Sequence, residues 1–183
     1  MELKTIILSG VHGVGKGHWI REVYSEKDDF ICLTASELIR EFKSANDAGY
    51  KKVIDVKSNQ ELLLAAIKSK QDITRKNILL DGHICIVNSK NKVEKIPLEF
   101  FIEAKVCGVL ILEDAADKIY ERLDQRDNNS LGIEMIKKIQ MCEREYADLL
   151  NKNIEIKVRH ITHKYSREQL LDFVRECWFD GNK

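Results

Sequence analysis

The chain has 183 residues, of which 44% are hydrophobic, enough to bury a sizeable core in one domain spanning residues 1–183. Its 30 Lys plus Arg balance its 30 Asp plus Glu, so no net positive charge draws it to nucleic acid, which is not an expected partner. No apolar run approaches about 18 residues and the amino terminus leads straight into a strand, so neither membrane spanning nor export is expected. The five cysteines, Cys32, Cys85, Cys107, Cys142 and Cys177, are scattered and read as reduced core thiols of a cytoplasmic protein.

The first element is a β-branched run, Thr5 to Leu8, that reads as a buried strand. It feeds into Ser9-Gly10-Val11-His12-Gly13-Val14-Gly15-Lys16-Gly17-His18, after which Trp19, Ile20 and Val23 supply the apolar face of a helix. A strand, a glycine-rich turn ending in lysine and a helix form a phosphate-binding loop. Gly10, Gly13 and Gly15 permit a backbone path whose N–H groups converge on an anion, and the helix adds its positive end. Lys16 brings a mobile charge to the outer phosphates. The following position, where Ser or Thr commonly ligates Mg²⁺, is Gly17, so a metal must be held by phosphate oxygens, water and an acid from elsewhere.

Phe30 to Leu33 reads as a second strand, and Thr34 or Ser36 can cap a helix with Leu38, Ile39 and Phe42 facing inward. The polar stretch Lys43 to Lys57 precedes another helix, from Ser58 to about Gln71. Lys51, Lys52 and Lys57, with Asn59 and Gln60, could hold an acceptor's phosphate and base, or could equally form a solvated loop. Asn77 to Asp81 is a third strand. Asp81 stands at its end, where an acid can orient Mg²⁺ through water or simply cap a turn. His83, two residues on, points to the same side if the strand persists, and can orient a phosphate or serve as a structural hydrogen-bonding group. His83 to Pro97 reads as a hairpin or a loop.

Val106 to Leu112 is a fourth buried strand, followed by a helix from about Ala115 to Gln125 and a charged turn, Arg126 to Ser130. Arg122 and Arg126 lie one helical turn apart. Two cations beside such a turn could close over a nucleotide, where phosphoryl transfer gains most from positive charge, or could bridge to Glu121 or Asp127. A long helix from about Gly132 to Leu150, a strand Ile154 to Val158, and a helix capped by Ser166 complete the chain. Five such strands alternating with helices predict a parallel five-stranded sheet covered on both faces, with ligand at the strands' carboxyl ends. Arg159 to Thr162, after the last strand, could flank a purine.

Together these residues resemble the P-loop nucleoside monophosphate kinases, and most closely the branch containing archaeal adenylate kinase and the nuclear adenylate kinase isoenzyme. The resemblance is carried by Gly10-Val11-His12-Gly13-Val14-Gly15-Lys16, by Asp81-Gly82-His83 matching that branch's Asp-x-His, and by Tyr120 to Arg126 matching its arginine-bearing lid start; Ile139-Gln140 is a weaker match. It implies a P-loop NTPase fold with an acceptor-binding insertion at about 34–75 and a short lid at about 122–132. It implies ATP, Mg²⁺ and a small phosphorylated acceptor as ligands, with transfer of the γ-phosphoryl group to a nucleoside monophosphate. Residues 10–18 and Arg122 would bind ATP. Lys16 would clamp the phosphates, Asp81 would organise metal-bound water, and Arg122 and Arg126 would be the lid charges. Lys52, Gln60 and His83 would face the acceptor. His12 stands where that loop often has proline, and no arginine is evident in the acceptor region. The nuclear branch also makes an ATPase switch acting on a protein or ribonucleoprotein partner an alternative.

Overall fold

The computed structural model describes residues 2–45, 56–126 and 131–179. In chain order the elements are β1 (Thr5–Ser9), α1 (Lys16–Val23), β2 (Phe30–Thr34), α2 (Ala35–Ala45), α3 (Val56–Thr74), β3 (Asn77–Asp81), β4 (Cys85–Val87), β5 (Val93–Lys95), α4 (Leu98–Glu103), β6 (Val106–Leu112), α5 (Ala116–Arg126), α6 (Ile133–Ile154), β7 (Lys157–Ile161) and α7 (Arg167–Phe179). Five strands form one parallel sheet in the order β2-β3-β1-β6-β7.

Alternation along the strands divides the core in two. Ile6, Leu8, Leu79, Leu110 and Leu112 face α1, α5 and α7, where they meet Trp19, Leu123, Phe173 and Trp178. Ile7, Ile78, Leu80, Val109 and Ile111 face the other way, against Ala66 and Ile67 of α3, Phe101 of α4, and Ala147 and Leu150 of α6. Because β1 is the middle strand, the glycine-rich turn that follows it opens at the centre of the sheet's carboxyl edge, between the ends of β3 and β6. Order reverses at that edge, and a crevice results.

The expected sheet and its two helical layers are present. The segment after His83 forms an antiparallel hairpin, β4 with β5, in which Cys85 pairs with Lys95 and Val87 with Val93. The last strand differs from the expected Ile154–Val158. α6 continues to Ile154 and stops where Glu155 turns left-handed (φ 55), its N–H bonding to Asn151 O. The Asn151 side chain then donates to Ile156 O at 2.8 Å, so pairing with β6 begins only at Lys157. Ile154 belongs to the apolar stripe of the helix rather than to a strand.

The cysteines are free thiols, as expected, but they are not scattered in space. Cys85 Sγ lies 3.0 Å from Cys142 Sγ, and Cys107 hydrogen-bonds Cys177. Among the described residues, no helix is long and apolar enough to cross a membrane.

Candidate functional site

The glycine-rich turn is built from the sheet outwards. Val11 and Val14 bury their side chains in the core beneath it, and Val14 N–H closes the turn on Val11 O at 3.0 Å. Gly10, Gly13 and Gly15 have φ of +145°, +84° and +102°, which L side chains rarely adopt. A methyl group on Gly10 would stand 2.5 Å from Leu112 O. α1 then starts at Lys16 with no acidic residue in its first turn, leaving its amino-terminal N–H groups for an anion.

Lys16 is nearly buried, at 8% exposure. Its Nζ donates to Gly10 O at 2.9 Å, lies 3.3 Å from His83 Nε2 and 3.8 Å from Asp81 Oδ1. Burial pulls the Lys16 pKa down, against the attraction of Asp81 and Glu143. Burial likewise raises the Asp81 carboxyl, with Lys16 opposing. His83 is held neutral, its pKa pushed down to about 3 by burial and then by the Lys16 charge. Asp81, His83 and Lys16 therefore meet at one point, from two neighbouring parallel strands. Asp81 pairs with Leu8 in the β1–β3 register, which sets its height beside the turn.

The arginines of α5 reach the other rim. Arg122 donates from Nη1 to Val14 O at 3.1 Å and pairs with Asp114. Arg126 hydrogen-bonds the His12 ring. His163, after β7, also donates from Nε2 to Val14 O, at 2.8 Å. These residues enclose a cleft of about 470 Å³ that includes His12, Gly15, Lys16, Asp81, His83, Arg122 and Arg126. Gly17 lines the same cleft, while His18 at its mouth pairs with Glu22 at 3.3 Å. A wider cavity of about 1060 Å³ adjoins it past Gly15 and Arg122, bounded by Asp114, Lys118, Thr162 and His163. Thr162, expected to flank a purine, lines this wider cavity. Arg159 does not: it pairs with Glu176 at 2.7 Å and stacks on Phe173, 4.9 Å from the ring centre.

On the far side of His83 lies an apolar pocket of about 200 Å³ between α2, α3, the hairpin and α4, floored by Ile7 and Leu80. Ile39, Leu63, Ile86 and Phe100 form its walls, and Asn59 and Gln60 supply amides. Ala35, Gly82 and His83 line both this pocket and the phosphate-loop cleft. Lys51 and Lys52 lie outside the described residues, as do residues 127–130 of the lid expected at about 122–132.

The sequence reading missed Glu143. It is 1% exposed and sits under the turn, accepting from Ser9 Oγ at 2.7 Å and from the Gly10 N–H. Its signal was present as a charge inside the stripe Ile136, Ile139, Glu143, Tyr146, Ala147 and Leu150 of α6. His163 and Asp114 were also missed, and no spacing marks them, since tertiary contact alone brings them to Val14 and Arg122.

Comparison with known proteins fits this geometry. A family model described as AAA domain matches residues 9–140, more than half of the chain. The chain belongs to that family. No curated protein matches it. Among solved structures, a gluconokinase from Sinorhizobium meliloti 1021 superposes with a TM-score of 0.52 over 98% of both chains, at 14% identity. An unliganded sugar kinase from Janibacter sp. HTCC2649 gives 0.52 over 96% of this chain and 94% of that one, at 11% identity. At these identities the likeness is one of fold, a P-loop NTPase fold with a five-stranded parallel sheet.

Proposed function

We propose that this chain is an ATP-dependent phosphotransferase whose acceptor is a nucleoside monophosphate. The observation that carries the reading is the continuity of the two cavities. A cationic phosphate cleft opens, across Ala35, Gly82 and His83, into an apolar pocket with two amides on its wall. An acceptor placed there would set its phosphate at the junction and its base against Phe100 and Leu63. A planar heteroaromatic ring suits such walls. A polyol acceptor would leave several hydroxyls unpaired in them.

The chemistry is consistent with that acceptor. Its phosphate oxygen is already anionic, so attack on the γ-phosphorus of ATP needs no general base. The new P–O bond forms as the bond to the β-phosphate oxygen breaks, releasing ADP with the electron pair. His83, neutral and with a pKa pushed down to about 3, is too weak a base for a sugar hydroxyl and is suited to donating or accepting a hydrogen bond. Lys16 would leave Gly10 O for the donor's outer phosphates, and the turn's amides with Arg122 would hold the rest of ATP. Arg126 would carry charge to the moving group. Gln60 would read the acceptor base, and Lys52 would approach its phosphate.

Among the described residues no cluster of three potential ligands could hold a metal unaided, and Gly17 supplies no hydroxyl. A hard cation arriving with the nucleotide fits this donor set. Asp81 would be the one facing carboxylate, with phosphate oxygens and water completing the shell. Magnesium so held would neutralise phosphate charge during transfer.

The reading is tested by steady-state ADP production from Mg-ATP with a panel of nucleoside monophosphates, gluconate and other sugar acids, and no acceptor. It predicts turnover raised by at least one monophosphate and by no sugar. Turnover raised by gluconate alone would overturn the acceptor assignment, and equal slow turnover throughout would favour the ATPase switch.

A further inference from the structure

Ser9 ends β1, Gly10 begins the phosphate turn and Ile84 follows His83; one side chain from α6 bonds the first two and reaches the third through Ser9. The Ser9 hydroxyl donates to Glu143 Oε1 at 2.7 Å and accepts the Ile84 N–H at 3.0 Å. A hydroxyl has one proton to give, so this direction requires an acceptor at position 143. Glu143 also takes the Gly10 N–H, while Gly10 O takes Lys16 Nζ at 2.9 Å. The two ends of Gly10 are therefore held by opposite charges, one from below the turn and one from within it.

We infer that Glu143 is a positioning residue for nucleotide binding, the buried anchor that fixes the Gly10 amide and, through Ser9, couples the phosphate turn to the arm bearing His83. Three features support this role over simple packing. The side chain is 1% exposed, a burial that an acid tolerates only when its acceptor capacity is used. Its partners are the first amide of the phosphate turn and the Ser9 hydroxyl that in turn holds the amide next to a cleft residue, rather than parts of α6. It also stands within electrostatic reach of Lys16, whose release from Gly10 O nucleotide binding requires. Removing it would leave the Ser9 hydroxyl and the Gly10 N–H buried without acceptors.

The charged and titratable groups around Glu143 are Lys16 of α1, Glu113 after β6, and Cys85 of β4. The Ser9 hydrogen bond, the Lys16 charge and the Gly10 N–H favour its ionised form, and burial outweighs them, holding the pKa at about 7. An ionised Glu143 beneath the turn repels an incoming polyphosphate, so nucleotide affinity should weaken as pH rises through that value.

The inference rests on the phosphate turn being a nucleotide site, and the test separates the two. Binding of a non-hydrolysable Mg-ATP analogue is measured by titration calorimetry at about pH 6 to 8.5 for the full chain and for Glu143→Gln and Glu143→Ala. Amide hydrogen exchange at Gly10 and Ile84 is followed without nucleotide. Gln keeps an acceptor oxygen, so it should bind within about threefold of wild type at pH 6, with no pH dependence, and should protect both amides. Ala should weaken binding about tenfold or more and speed exchange at both amides. Ala matching wild type in exchange, or Gln as impaired as Ala in exchange or in binding, would overturn the anchor. Should Glu143→Ala fail to fold, Ser9→Ala removes the middle link and must speed exchange at Ile84 while sparing Gly10; equal exchange at both would overturn the coupling. A wild-type chain that does not bind the analogue contradicts the nucleotide site instead, and the exchange data still judge the anchor.

Discussion

The Lys16 ammonium donates to the carbonyl of Gly10 at 2.9 Å, so the phosphate-loop lysine is folded back on the turn it serves. Bound phosphate must offer more than that carbonyl and the Asp81 carboxylate together. A charge-assisted hydrogen bond contributes about 1.5–3 kcal/mol. Lys16→Met is therefore expected to weaken binding of the Mg-ATP analogue by about ten- to a hundredfold, as measured by calorimetric titration. Affinity within twofold of wild type would contradict the placement of Lys16 at the phosphates.

Gly10 tolerates no side chain. Its φ of +145° is strained for any L residue, and an added Cβ would meet Leu112 O, a backbone atom of the central sheet that cannot step aside. Gly10→Ala should destabilise the protein by about 1–3 kcal/mol from backbone strain, with a further cost from the contact, seen as a lowered urea midpoint. An unchanged midpoint would mean that the turn relaxes in a way the sheet register excludes.

Glu143 and His83 set opposite slopes of stability against pH. Glu143 is raised from 4.5 to about 7, so the folded state binds its proton more tightly and stability falls as pH rises from about 4.5 to 7. His83 is lowered from 6.5 to about 3, so the folded state resists protonation and stability is lost as pH falls below about 6.5. Between those limits the two oppose each other, each by up to about 1.4 kcal/mol per pH unit. Relative to wild type, Glu143→Gln should steepen the rise in stability from about pH 4.5 to 6.5, and His83→Gln should turn it toward a fall. Denaturant titrations across that range check both signs, and parallel curves for all three proteins would contradict the burial of these groups as charge-sensitive.

Arg126 hydrogen-bonds His12 at the lip of the cleft, whereas Arg122 is tied to Val14 O and Asp114. In the proposed phosphotransferase the first would follow the transferring group and the second would shape the donor site. Arg126→Ala should lower kcat by about 10²–10³-fold with little change in KM for ATP. Arg122→Ala should raise that KM, since it removes a cation from the donor side of the cleft and leaves Val14 O to His163 alone. Steady-state kinetics at saturating acceptor distinguish the two, and matching profiles would remove the division of roles.

Much of the fold was legible because its signals are local. Ile6 to Leu8 and Val109 to Leu112 are apolar on both faces, as a central parallel strand must be, and Gly10, Gly13 and Gly15 advertise a turn that only glycine can make. The end of α6 was harder to place, since Ile154 serves a helix stripe as well as it would a strand, and only the left-handed Glu155 decides between them. Lys16, Asp81, His83, Arg122 and Arg126, which the structure gathers around one cleft, were marked in the sequence by the glycine-rich turn, a strand end or a helical repeat. Glu143 reaches Ser9 from 134 positions away, and His163 reaches Val14 from 149. Contacts of that range leave no periodic trace, and a buried acid in an apolar stripe is the faint mark that remained.

The most direct measurement is the fate of the γ-phosphoryl group. Wild-type protein is incubated with Mg-ATP labelled at the γ-phosphate and a nucleoside monophosphate, and the products are separated. Label appearing in the nucleoside diphosphate made from the acceptor, and lost in Lys16→Met, is the predicted result. Label appearing only as inorganic phosphate, at the same rate with and without every monophosphate, would contradict phosphoryl transfer to that acceptor.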